Sequence, residues 1–295
     1  MKVRILSVIT ILILFFTGCD QVEEKEKVGV NIVTSFYTTY VFTKNITKDV
    51  PNVNVENMSD NHSGCLHDYH LDTKDMKKIE NADVFVINGA GLESFLEKVY
   101  EKEELYVIDA SEDLDLIQSK YEDKPNEHTW LSISNAILQV DKIATKLAEI
   151  DKDNADKYIE NKDLYIERLK QLRNELRESL YDVNKDIKIV TTHDAFAYFA
   201  NDFDIEITDV IEREEGQSPT QKEMKTIIDN IKENDVCGIF IEPDYSNKLA
   251  QTIANESNVK VYTLDSITSG DGNIYDYENK MKQNIETIRE SIKWF

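Results

Sequence analysis

The chain has 295 residues, with 34 lysines and arginines against 57 aspartates and glutamates, for a formal net charge of −23. That surface repels nucleic acid and anionic lipid headgroups, which argues against DNA binding or a polybasic membrane role, and it weakly attracts cations. The length allows a large core, most simply divided between two lobes.

Lys2 and Arg4 precede an apolar stretch from Ile5 to Phe16, and small Thr17 and Gly18 lead into Cys19. The pattern predicts a secretory leader over residues 1–18, too short to remain as a membrane-spanning helix. Phe16-Thr17-Gly18-Cys19 resembles a bacterial lipobox, so Cys19 is expected to become the lipidated N-terminus, followed by a charged tether through residue 28. Losing Lys2 and Arg4 with the leader takes the charge from −23 to −25. The two remaining cysteines, Cys65 and Cys237, do not make a disulfide framework, although an extracytoplasmic compartment permits one bond. Cys237 lies in an apolar run and reads as a buried thiol. Cys65 lies two residues before His67 and is a candidate soft ligand.

Beyond the tether, short apolar runs alternate with amphipathic stretches, the pattern of an α/β fold with mainly parallel sheets flanked by helices. Strands are expected at Gly29–Thr34, Val53–Met58, Asp83–Ile87 and Leu105–Ile108. A second set follows at Ile187–Thr191, Glu206–Val210, Val236–Ile241 and Val259–Leu264. Helices are expected over Thr73–Asn81, Gln221–Lys232, Asn247–Glu256 and Tyr277–Lys293. From Leu131 to Asn184 there is neither glycine nor proline. Asp151-Lys-Asp-Asn154 supplies N-cap chemistry there, so one helix is expected to end near Ile150 and another to start. Ile166, Leu169, Leu172, Leu176, Leu180 and Val183 form one stripe along a helix over 154–183, roughly 45 Å long. A dimeric coiled coil uses the same pattern, but a rigid strut joining two lobes suits the flanking strands better. The expected organisation is an N-terminal lobe over 29–150, a linking helix over 151–185 and a C-terminal lobe over 186–295.

Only five histidines occur. His67, His128 and His193 lie far apart in short apolar-framed segments, and Asp265 directly follows an apolar run. Neutral imidazole and carboxylate are the usual ligands of a borderline divalent metal such as zinc. In open α/β sheets ligands bind beyond the carboxyl ends of strands. His193 and Asp265 follow expected strands directly, His67 lies in the loop after one, and His128 leads into a helix. Two ligands would then come from each lobe. His70, three residues after His67, is either a further ligand, an orienting group for Asp68 or solvent-facing; His62 reads as a surface residue. Glu242 also ends a strand, as a supporting group, an alternative ligand or a general base.

These segments together resemble the metal-binding receptors of bacterial zinc and manganese ABC importers, the cluster A-I solute-binding lipoproteins. His67-Asp68-Tyr69, with Asp75 and the run Asn81 to Gly89, is similar to the family's first ligand loop, helix and strand, although His70-Leu71 stands where the family has prolines. His128-Thr129-Trp130-Leu131 and His193 to Phe199 are similar to its second and third ligand motifs. Phe240 to Pro243 and Leu264-Asp265-Ser266 are similar to its C-terminal segments. The resemblance implies a lipid-anchored extracytoplasmic monomer that captures Zn²⁺ with His67, His128, His193 and Asp265 and passes it to an ABC permease and its ATPase. Histidine at the third position is typical of the family's zinc receptors, where its manganese receptors usually have glutamate. Three imidazoles and one carboxylate suit tetrahedral Zn²⁺, while Mn²⁺ prefers more oxygen. The histidine-rich loop of many zinc receptors is absent from the acidic 110–126 stretch. A manganese or iron receptor of the same family, a zinc hydrolase using Glu242 as base, and a surface adhesin are the rival readings.

Overall fold

The computed structural model describes residues 29–60, 64, 69–96, 98, 105–121, 123–181, 186–212, 218–243 and 248–293. The leader, lipobox and tether therefore lie outside the described residues. The first lobe contains β1 (Val30–Thr34), α1 (Tyr37–Ile46), β2 (Val53–Asn57), α2 (Thr73–Glu80), β3 (Val84–Ile87) and β4 (Tyr106–Asp109). Two helices follow, α3 (Ile133–Ile150) and α4 (Ala155–Tyr181). The second lobe contains β5 (Ile187–Thr191), α5 (Ala197–Asp202), β6 (Ile205–Val210), α6 (Gln221–Glu233), β7 (Ile239–Ile241), α7 (Lys248–Ser257), β8 (Val261–Thr263) and α8 (Asp276–Ile292).

The strands form two four-stranded sheets, ordered β2-β1-β3-β4 and β6-β5-β7-β8. Every ladder between them is parallel. Successive side chains on a strand face opposite ways, and helices cover both faces, so the central strands are apolar throughout. Val84 and Val86 of β3 enter one cluster while Phe85 and Ile87 enter another. In the second sheet Ile189 and Phe240 join the cluster that holds Val84, and Val190, Ile239 and Ile241 pack elsewhere. One apolar core thus contains residues from both sheets and from α1, α3, α4 and α8.

Helix α4 is the expected strut; it begins one residue later than 154 and is described through Tyr181. Its 27 residues span about 40 Å at 1.5 Å per residue. Leu169, Leu172, Leu176 and Leu180 are buried as the stripe requires, and Tyr158, Asn161 and Tyr165 extend that face toward the N-terminus. Ile166 is only half-buried, and Val183 lies outside the described residues. Asn161 Nδ2 donates to the carbonyls of Ile46 and Lys48 in the first lobe, at 2.9 and 2.8 Å. Further along, Arg168 Nη2 donates to Asn45 Oδ1 on α1 and pairs with Glu278 on α8 at 3.1 Å. The strut is therefore pinned to both lobes by polar contacts as well as by packing.

Other departures from the sequence reading have local causes. Helix α1 is not among the elements expected, because eight of its ten residues are buried and it offers no amphipathic period to read. Strands β7 and β8 are shorter than Val236–Ile241 and Val259–Leu264, and residues of positive φ, Asp235 at 54° and Asn258 at 59°, stand just before those expected starts. Cys237 is buried, as expected.

The stripe makes a quantitative prediction. Leu169 is fully buried and Leu164, on the opposite face, is 60% exposed. Leu169→Ala is expected to cost about 2–5 kcal/mol in denaturant unfolding, and Leu164→Ala less than about 0.5 kcal/mol. Equal costs would show that α4 is not part of the core.

Candidate metal centre

Three parallel strands of the second lobe bring chemistry to one end of their sheet. His193 lies two residues beyond β5, Glu242 directly follows β7 and Asp265 lies two residues beyond β8. Because β5, β7 and β8 are neighbours in that order, the three residues share the carboxyl edge where a ligand is expected. The strand pairing runs on into these segments: Thr192 N donates to Phe240 O and Leu264 N to Ile241 O, both at 2.9 Å. Their positions are therefore fixed by backbone bonds rather than by loop conformation.

His128 approaches from the other lobe. It precedes a short 3₁₀ turn, Thr129–Leu131, whose flanks are held by a buried polar network. Asn88 Nδ2 donates to Glu127 O at 2.9 Å, Thr129 Oγ1 donates to Asn88 Oδ1 at 2.9 Å, and Gln139 Nε2 donates to the same oxygen at 3.0 Å. The imidazoles of His128 and His193 meet nearly perpendicular, at 82°, with ring centroids 5.0 Å apart.

Each ring is oriented from behind. His193 Nδ1 lies 3.0 Å from Glu242 Oε1, and that carboxylate is almost wholly buried. His128 Nδ1 lies 3.2 Å from Asn126 Oδ1, which also accepts from the His128 backbone N–H at 3.1 Å. With these oxygens accepting from Nδ1–H, the neutral form of each ring has its lone pair on Nε2. That is the arrangement by which an outer carboxylate or amide sets the tautomer of a metal-binding histidine.

The same residues close the lobes over the site. Asn126 Nδ2 donates to Asp194 O at 2.6 Å, and Tyr198 Oη donates to Asn126 O at 2.9 Å. Trp130, its ring tilted against His128 with centroids 5.3 Å apart, donates through Nε1 to Ser266 O at 2.8 Å. The segment bearing Asp265 is thereby tied to the segment bearing His128. Asp265 itself accepts from Ile267 N through Oδ1 at 2.7 Å, and its Oδ2 lies 2.7 Å from Lys280 Nζ.

His128, His193 and Glu242 are therefore together, and Asp265 stands at the adjoining strand end with an ion-pair partner that spacing did not foretell. His62, Cys65 and His67 lie outside the described residues. His70 is exposed. Among the described residues, no three His, Cys, Asp or Glu side chains form a group able to hold a metal ion. Asn126 and Trp130 were not singled out as functional, because an amide acceptor and an indole donor have no characteristic spacing.

A buried acid also marks the carboxyl edge of the first sheet. Glu93 accepts from Ser35 Oγ at 2.6 Å, Asn88 N at 2.7 Å and Gly89 N at 3.0 Å. Desolvation outweighs these donors and pushes its carboxyl up to about 7.

Two lobes with parallel sheets, joined by one long helix and carrying paired imidazoles from opposite lobes, define a solute-binding protein of the metal-receptor type. The family model described as the periplasmic zinc-uptake complex component A, ZnuA, matches residues 32–291. The chain belongs to this family, whose members are metal-binding, substrate-binding components of ABC transporters and not enzymes; the hydrolase reading of Glu242 falls with that. The chain is 26% identical over 305 residues to the manganese-binding lipoprotein MntA of Halalkalibacterium halodurans, covering 97% of each. It is 28% identical over 282 residues to the high-affinity zinc uptake protein ZnuA of Bacillus subtilis, covering 89% of this chain and 87% of that one. The Mn²⁺ complex of the solute-binding protein FpvC of Pseudomonas aeruginosa superposes with a TM-score of 0.79 at 33% identity, covering 90% and 99% of the two chains.

Glu93 sets a pH dependence. Its folded value of about 7 lies above the ordinary 4.5, so its contribution to stability is fully present below about pH 4.5 and is lost as pH rises through 7. Between pH 5 and pH 8 the wild type is expected to lose roughly 2 kcal/mol relative to Glu93→Gln. Urea unfolding of both proteins across that range checks it, and parallel pH profiles would contradict it.

Proposed function

We propose that this chain captures Zn²⁺ between its lobes with His67, His128, His193 and Asp265 and delivers it to an ABC permease driven by its ATPase. The observation that carries the reading is the pair of perpendicular imidazoles, one from each lobe, backed by Glu242 and Asn126. Two nitrogen donors, with His67 as the third in the proposed set, favour zinc over oxygen-seeking metals. Manganese is the second reading, supported by the manganese-binding name of a relative that aligns over 97% of this chain. Leader removal at Cys19, lipid anchoring on the outer face of the membrane, a monomeric state and the lobe boundaries at 29–150, 151–185 and 186–295 belong to the same proposal. The lipoprotein name of that relative supports the anchor.

Lobe closure contributes little to capture in this account. The shared core and the pinned strut hold the lobes in register, so the metal would leave through rearrangement of the ligand loops at the permease.

Zinc titration of metal-stripped variants tests the assignment. His193→Ala is expected to weaken binding at least as much as Asp265→Ala, since it removes a nitrogen donor. Glu242→Gln is expected to cost about 10–100-fold, as the loss of an orienting carboxylate does. Cys19→Ser protein, recovered from the soluble fraction, should bind as the wild type does. Unchanged zinc affinity in His193→Ala would overturn the site, and unchanged membrane retention of Cys19→Ser would overturn the anchor.

A further inference from the structure

A cation sits on the carboxylate of the proposed ligand Asp265. Lys280, in α8, places Nζ 2.7 Å from Asp265 Oδ2 and 2.7 Å from Ser269 O. Both side chains are largely withdrawn from solvent, with 19% of Lys280 and 29% of Asp265 exposed. Asp265 cannot readily turn away, because Ile267 N donates to Oδ1 and Asn284 brackets its backbone, accepting from Asp265 N and donating to Asp265 O, each at 2.8 Å. Ile267 adopts φ 60°, a left-handed conformation unfavourable for a β-branched residue, and it is fully buried. The loop is therefore held against strain in the shape that presents Asp265 to Lys280.

We propose that Lys280 is a built-in competitor for the metal: it neutralises the Asp265 carboxylate, lowers the affinity of the site, and weights it toward metals that draw on imidazole rather than oxygen. The inference rests on the reading of Asp265 as a ligand. A divalent ion bonded to Oδ2 at about 2.1 Å would stand within about 5 Å of the ammonium, where two positive charges on one and a single charge on the other repel even in a high dielectric. Entry of the metal must either bear that repulsion or break the ion pair. In both cases Asp265 gives up less to the metal than an unpaired carboxylate would. The handicap falls hardest on Mn²⁺, whose binding depends most on oxygen donors, and least on Zn²⁺, which the imidazoles satisfy. Lys280 acts through Asp265 and is a positioning residue, but its charge and its staple to the loop have opposite consequences for affinity. A purely structural lysine, once removed, weakens binding; a competing cation, once removed, strengthens it.

The test is calorimetric titration of metal-stripped full-length protein with Zn²⁺ alone and Mn²⁺ alone, comparing wild type, Lys280→Met, Lys280→Gln and Asp265→Asn, each first shown to melt as a folded protein. Lys280→Gln keeps a hydrogen-bond donor for the loop and removes the charge, so it serves if the methionine variant does not fold. Both Lys280 variants are expected to bind Mn²⁺ roughly tenfold or more tightly than wild type, with a smaller gain for Zn²⁺. Weaker or unchanged Mn²⁺ binding, or a gain at least as large for Zn²⁺, overturns the proposal. If Asp265→Asn binds both metals as wild type does, the ligand assignment itself fails. If Asp265→Asn weakens binding while the Lys280 variants bring no gain, only the role of Lys280 fails.

Discussion

The apolar core that runs from the first sheet through α4 into the second sheet is the constraint on which everything else depends. Val84 and Val86, Leu169 and Leu172, and Ile189 and Phe240 belong to one cluster. A hinged receptor separates its lobes by opening a wet cleft between two independent cores. Here an opening motion would have to expose shared apolar side chains, at about 25 cal/mol for each Å². Polar ties add to that resistance: Asn161 to the end of α1, Arg168 to Glu278, and Trp130 to Ser266. The imidazoles of His128 and His193 therefore meet because the fold holds them there, and the electrostatics around them are set in advance.

That preset geometry shifts selectivity from shape to donor chemistry. Glu242 and Asn126 fix the rings so that each offers Nε2. Lys280 tempers the one described carboxylate at the adjoining strand end. On the proposed ligand set, oriented nitrogen donors and a partly neutralised oxygen donor would tune the site by charge, and a net charge of −23 across the chain supplies a general attraction for cations without distinguishing among them.

Much of this was legible in the sequence, for identifiable reasons. Parallel strands buried on both faces are short continuous apolar runs, so all eight strands were readable, within one residue at each end for β1 to β6 and with starts two or three residues early for β7 and β8. The leucine stripe of α4 has a single period and gave the strut to within a residue at its start. The placement of His193, Glu242 and Asp265 followed from their positions just past strands. What remained hidden lacks a local signature. Helix α1 is buried nearly all round and shows no polar face. The Lys280–Asp265 pair joins residues fifteen apart across a loop and a helix start. Asn126 acts through one amide oxygen and one amide hydrogen in a segment that reads as an ordinary turn.

The claim that three histidines and one aspartate bind zinc is tested most directly by X-ray absorption at the zinc edge on the singly loaded protein. A four-coordinate shell of nitrogen and oxygen at about 2.0–2.1 Å is expected, with outer scattering from three imidazoles. A sulfur neighbour at about 2.3 Å, which would bring Cys65 into the shell, or scattering from fewer than two imidazoles, would contradict it.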